Sequence, residues 1–422
     1  MDLKNEADYD RLRATQWRAR NTMSRRALFR MSATVGLGAA VGGMAPRPAA
    51  ASRSAAAATG PIVKPLPPEL FVVHGSNAEM RWEAMRGQGY HTPIDRFFVR
   101  DHTSTPLIDV RSWRLRLFGS GLHGSPTLDR AVTFSYEDLL GLPSREISAF
   151  IECTGNGRGF YTTQQNQQVS GTAWKLGAVG VARWRGVPLS VVLERAGLTR
   201  HAVDVMPRGL DADYVDAGTN HGRVRRPIPV AKALDDVLLA YEMNGRPLPP
   251  DHGFPVRVVV PSWVGISSIK WVGDIEVSDA PLFSPWNTQY YRLFGPDYPP
   301  EGSAPLTRQV IKSAFELPWD ATLSAGRTTV LHGRSWSGHG AVRQVEVSTD
   351  GGANWRQART HGPGRPGGWL RWEFPWHPDG TGPHTLLARA TDTTGTTQPD
   401  TARYNTLGYL FDAVVRHPVT VS

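Results

Sequence analysis

A single cysteine, Cys153, serves all 422 residues. That scarcity excludes intrachain disulfides and multi-cysteine zinc or iron–sulfur sites, and the absence of any C-x-x-C-H run excludes covalently attached haem. A metal held by this chain must rest on one thiolate, on histidines or on an organic ligand. Lysine is scarce as well, with 6 of 47 basic residues. Long apolar runs are missing: the stretch Met31 to Ala45 is about 15 residues, short of the roughly 20 that span a bilayer. A sustained basic face is also lacking. The formal charge is +9, but residues 1–64 hold 11 Lys and Arg against 4 Asp and Glu, and the remainder is nearly balanced at 36 against 34. Nucleic-acid backbone binding needs more than that, so no nucleic-acid partner is expected.

What is present divides into three parts. In the first, Ser24-Arg25-Arg26-Ala27-Leu28-Phe29-Arg30 precedes the short Gly/Ala-rich run and resembles a twin-arginine export signal. Residues 1–64 are therefore assigned to a leader and linker, with export to the periplasm or the outer face of the envelope and no membrane span once the signal is removed. Residues 65–303 mix strand-like runs with short helical patterns: "WRLRLFG" (113–119) alternates, "SYEDLLGLP" (135–143) has Ser135 placed to cap a helix, and "PVRVVVP" (255–261) is an apolar strand between prolines. Without regular βαβ spacing this predicts an α+β domain. From 304 to 422 the helix signals nearly vanish, and strand–turn–strand patterns such as "AVRQVEVSTDGGANWRQA" (341–358) predict an immunoglobulin-like β-sandwich.

Three clusters could carry chemistry. "IECTGNGRGFY" (151–161) sets Cys153 in a Gly-rich turn beside Arg158. A lone buried cysteine is usually structural, but a cation favours thiolate, and a thiolate is a soft metal ligand. "FFVRDH" (97–102) is an apolar strand ending in charged groups. "DHGFPVR" (251–257), with "SSIKW" (267–271) after it, supplies His252, Arg257 and Lys270, which could together hold a phosphate by charge-assisted hydrogen bonds or else form surface salt bridges.

From about Phe71 onward the chain resembles the sulfite oxidase family of molybdenum enzymes, through "AYEMNGRPLPPDHGFPVR" (240–257), "TGNGR" (154–158), "GAVGVARWRGVPL" (177–189) and "TQPDTARYN" (397–405). The resemblance implies a molybdopterin-binding catalytic domain followed by an immunoglobulin-like dimerisation domain. It implies a molybdenum cofactor, a pyranopterin dithiolene whose metal takes Cys153 as its protein ligand. Phe98, Val99, Arg100, Asp101 and His102 match cofactor contacts, as do Asp211, His252, Arg257, Ser268, Ile269 and Lys270. Arg100 and Arg158 match substrate arginines, Trp174 a tryptophan near the pocket, and Tyr291, in preference to Tyr290, the active-site tyrosine. Arg371 is a further candidate for a pocket arginine from the sandwich. Two departures predict a less positive pocket: Gly157 where many relatives have Arg, and Asp101 where they have Asn. The implied activity is oxidation of sulfite to sulfate, with electrons leaving to a separate acceptor, a cytochrome or oxygen, from a homodimer. The alternatives are the same cofactor acting on nitrate, a sulfoxide or carrier-bound sulfur, and a cofactor-free exported binding protein.

Overall fold

The structure is a computed structural model in which residues 61–422 are described; the twin-arginine stretch lies outside them. Two five-stranded sheets dominate the first unit. One runs in the order Ile228–Pro229, Asp204–Gly209, Val272–Ser278, Leu115–Phe118, Val132–Phe134, with Val272–Ser278 parallel to Leu115–Phe118. The other pairs Arg246–Pro247, Leu238–Met243, Val179–Pro188 and Arg145–Glu152, and Arg257–Val259 adds to Leu238–Met243. Between the sheets lies an apolar core of Leu115, Leu117, Val187, Leu239, Val258, Ile275 and Val277. These residues come from alternating positions, as period-two patterning requires. Helices are short; Tyr136–Leu140 starts at Ser135, whose hydroxyl accepts the Asp138 N–H while Asp138 takes the Ser135 N–H.

The segment "FFVRDH" departs from its predicted strand. Pro93 starts a 3-10 turn, Ile94–Arg96, and only Val99–Arg100 pairs as strand. Ile62–Lys64, placed in the linker on composition, also belong to the first unit. Asp251 accepts the backbone N–H groups of Val63 (2.9 Å) and Lys64 (2.7 Å), so their donors are satisfied by the folded unit.

Nine strands form the second unit as two stacked sheets. They are Lys312–Phe315, Thr329–Trp336, Trp369–Trp376 and Arg359–His361 in one, and Ala321–Leu323, His417–Val421, Gly382–Asp392, Val342–Ser348 and Arg356–Gln357 in the other. Leu386, Ala388 and Ala390 turn one face of their strand into the core between the sheets. The two units share an apolar cluster in which Met80, Trp82, Phe150 and Phe160 of the first meet Trp336, Trp369 and Phe411 of the second. Arg334 adds backbone contacts across this junction to Gly89, Tyr90 and Gln88.

Near the same junction His417 is buried between Trp319 and Phe315, with its Nε2 donating to Pro318 O at 3.0 Å. Burial lowers its pKa to about 4. Above the ordinary imidazole value both folded and unfolded chains hold it neutral. As pH falls from about 6.5 to about 4 only the unfolded chain takes up the proton, so stability drops by about 3 kcal/mol across that window. The His417→Gln variant should lose less stability between pH 7 and pH 4.5 than the parent, measured by urea unfolding at each pH.

Candidate active site

Arg145–Glu152 pairs antiparallel with Val179–Pro188 along its full length and delivers its last residues to the mouth of a cavity of about 730 Å³. The chain then turns, with Cys153 N donating to Ala178 O at 2.9 Å and Asn156 N to Cys153 O at 2.9 Å. Buried Asn156 braces the turn, donating to Glu152 and accepting from Ala178 N at 3.0 Å. Cys153 is 8% exposed and lines the cavity. Around it stand Phe98, Arg100, Asp101 and His102 from one segment, Asp211 from another, His252 and Arg257 from a third, Ser268, Ile269 and Lys270 from a fourth, and Tyr291. Stretches separated by more than a hundred residues thus converge on one chamber.

Three residues that line this chamber each carry a buried side-chain atom without a hydrogen-bond partner: His252 Nε2, Asp211 Oδ1 and Thr154 Oγ1. Each unsatisfied buried group costs roughly 1–3 kcal/mol, so the chamber calls for a polar ligand. Its cations say which charge. Arg257 donates only to backbone carbonyls, His252 O and Ser268 O at 3.0 Å each, and burial lowers its pKa to about 9. Arg100 donates to the Asp101 carbonyl and, at 3.1 Å, to His102 Nε2. Arg158 donates from Nε to Leu407 O (2.8 Å) and from Nη1 to Thr172 O (3.0 Å). None of the three has a carboxylate partner among the described residues, and cations so placed call for anions.

The histidines are neutral. His102 Nε2 accepts from both Arg100 and Trp286 Nε1, and burial, with Arg100 and Lys270 nearby, holds its pKa well below the ordinary range. Burial does the same to His252, with Lys64, Lys270 and Arg257 adding to it. Tyr291 is pushed up by burial and stays a protonated donor, and its backbone holds φ +56°. A left-handed non-glycine residue costs about 1–3 kcal/mol and persists only where its surroundings dictate it. Tyr290 points elsewhere, donating to Asp216 at 3.0 Å, so Tyr291 is the one at the cavity.

Several expectations are corrected. Asp101 lowers the positive charge of the pocket by pairing: its carboxylate is in direct contact with Lys270 Nζ and also accepts from Thr105 at 3.0 Å. Whichever partner holds the proton, the pair is neutral as a unit. Gly157 does not face the chamber; at φ +92°, a Cβ there would lie 3.0 Å from Phe411. The glycines of the turn serve Arg158 and the packing behind it rather than a cofactor. A Cβ on Gly155 would fall 2.5 Å from the Arg158 guanidinium carbon, and one on Gly159 3.1 Å from Trp174 O. Trp174 is fully buried behind Cys153 and edge-on to His74, away from the cavity lining. Val99 packs in a small core with Ile62, Phe71 and Ala78, because its strand turns alternate side chains to opposite faces. Arg371 lies in a sandwich strand opposite Arg334 and His361 and is not at the cavity. Arg158 stands behind the cavity lining rather than in it. Thr154, Ile266 and Trp271 line the chamber without having been singled out; Trp271 adjoins Lys270, and only that adjacency could have marked it.

Residues 102–286 match the family model described as an oxidoreductase molybdopterin binding domain, and residues 310–422 the Mo-co oxidoreductase dimerisation domain. Sulfite oxidase of Gallus gallus is 36% identical over 342 residues, 77% of this chain and 71% of that protein. The chain belongs to the sulfite oxidase family. The mitochondrial sulfite oxidase of Rattus norvegicus is 36% identical over 352 residues, 79% of this chain, and the chain spans 62% of that relative's length. Among solved structures, the sulfane dehydrogenase SoxCD of Paracoccus pantotrophus superposes with a TM-score of 0.70 at 28% identity, covering 87% of this chain and 92% of that one. Membership of the family implies a molybdenum–pterin cofactor. The chamber fits it: one thiol for a metal whose other sulfur ligands are organic, orphaned polar atoms for a pterin, and Arg257 for a phosphate. Among the described residues no group of three His, Cys, Asp or Glu side chains could hold a metal unaided.

Proposed function

We propose that this chain oxidises a small sulfur oxyanion, sulfite first, at a molybdenum–pterin centre attached through Cys153, and hands the electrons to a separate redox protein such as a cytochrome. The observation that carries this reading is the convergence of the lone thiol and carboxylate-free arginines on one chamber. Cys153 Sγ would ligate the metal, while His252, Arg257, Lys270, Ser268 and Asp211 would hold the pterin and its phosphate. When bound, the cofactor supplies oxygen-atom transfer and accepts two electrons. The protein does the rest. Arg100, with Arg158 behind it, draws in and orients a dianion. Neutral Tyr291 donates to an oxygen of the bound anion without adding charge, and His102, accepting from Arg100, fixes that guanidinium's pose.

The dimerisation-domain match supports a homodimer, and the paired arginines ahead of a Gly/Ala-rich run support export of the folded protein to the periplasmic or outer face of the envelope. The likeness to SoxCD favours one second reading, in which the substrate is sulfane sulfur borne by a carrier.

Protein purified from a cofactor-competent host should contain about one molybdenum per chain and reduce ferricyanide or cytochrome c when given sulfite. Absence of molybdenum would overturn the enzymatic reading, and molybdenum without sulfite turnover would select the second substrate class. Arg100→Gln should raise the sulfite KM by at least tenfold, as expected for loss of a charge-assisted contact.

A further inference from the structure

A short segment of the second unit, Asn405–Leu410, reaches the site. Leu410 N donates to Thr154 O at 2.9 Å, next to Cys153, and Leu407 O takes Arg158 Nε at 2.8 Å. Gly408, at φ +58°, lies so close to Arg158 that a Cβ would be 2.6 Å from its Cγ. Between these anchors sits Tyr409, 7% exposed. Its ring stacks on Tyr291, centroids 5.1 Å apart and 9° from parallel, and the Arg158 guanidinium lies 5.3 Å from its centroid. Arg226, held by the carbonyls of Trp286 and Leu306, packs against the Tyr291 ring at 5.7 Å. Tyr409 itself is pinned: Asn405 accepts its N–H at 2.8 Å and donates to its carbonyl at 2.8 Å, and Tyr161 donates to the same carbonyl at 3.1 Å.

We propose that Tyr409 is a positioning residue for anion binding, carried into the site by the second domain to hold Arg158 and Tyr291 in one fixed arrangement. Its ring lies flat on that of Tyr291 and so holds that residue in a left-handed backbone conformation that a tyrosine otherwise avoids. Its ring face gives the Arg158 guanidinium a cation–π partner in place of a carboxylate, so the arginine is held without losing its charge to an internal anion. The anion site therefore requires the sandwich to be docked. This rests on reading the chamber as an oxyanion pocket.

The test uses cofactor-loaded full-length protein, with sulfate binding by calorimetry and sulfite kinetics as readouts. Tyr409→Leu removes the ring face that meets Tyr291 and Arg158; Gly408→Ala displaces Arg158 while leaving the Tyr409 side chain intact. Both should weaken sulfate binding and raise the sulfite KM about tenfold, the size of one lost hydrogen bond or ion contact, with little change in kcat. Thermal midpoints identify any variant that has merely lost stability. Unchanged sulfate affinity in both variants, with the parent binding sulfate normally, would overturn the role of Tyr409. A parent that neither binds sulfate nor turns over sulfite would instead overturn the oxyanion reading beneath it.

Discussion

Cys153→Ser should yield a folded protein with no measurable sulfite-dependent reduction of ferricyanide. The exchange swaps sulfur for oxygen in a side chain that packs among apolar neighbours such as Ile151 and Trp174 and faces the cavity, so little packing is lost. The chemistry changes far more. A thiolate is a soft ligand that matches a metal already held by dithiolene sulfurs, whereas a serine hydroxyl is hard and remains protonated at neutral pH. No other described cluster could substitute, since none assembles three potential ligands. Turnover, molybdenum content and the thermal midpoint should be measured together. Activity near the parent level in a protein with bound molybdenum would show that Cys153 is not the ligand.

The second large effect is expected one residue earlier. Glu152 is fully buried, and its carboxylate accepts from Lys312 Nζ at 2.7 Å, Asn156 Nδ2 at 2.9 Å and Trp336 Nε1 at 2.9 Å. Lys312 and Trp336 belong to sandwich strands, and Gln309 Nε2 also donates to Glu152 O at 2.9 Å. The second domain thus grips the backbone that presents Cys153. Lys312→Met leaves the carboxylate buried without its counter-charge, which typically costs 3–5 kcal/mol. The thermal midpoint should fall markedly, and the Glu152→Gln/Lys312→Met double variant should recover part of the loss because no lone charge remains. As a control, breaking the exposed Arg111–Asp109 contact, with side chains 87% and 51% exposed, should change nothing measurable. If Lys312→Met were as stable as the parent, the pair would not be the anchor its burial implies.

Most of the residues that line the chamber were legible because they are local. His252 and Arg257 lie in one short run, Ser268 to Lys270 in another, and the lone cysteine in a third, so each cluster could be read before its position was known. The sandwich was legible too, since alternating residues such as Leu386, Ala388 and Ala390 must share a face. Pairings across long separations were not. Lys270 meets Asp101 across 169 residues, and that contact, which chain order does not reveal, cancels the charge of the lysine. Gly155 and Gly157 read alike as turn residues, yet one admits the Arg158 guanidinium and the other the Phe411 ring. Tyr409 lies outside every motif and gained significance only once the second domain was docked.

The division follows from range. Residue order specifies alternation, caps, turns and the chemical types near one another in the chain, and these were enough for the two-domain architecture and for the clusters that line the chamber around the lone thiol. Which charges neutralise each other, which glycine makes room for which side chain, and which of two adjacent tyrosines faces the cavity depend on surfaces brought together by burial. Coulombic and van der Waals contacts act over a few ångströms of space, and sequence separation carries no record of that distance until the chain has folded.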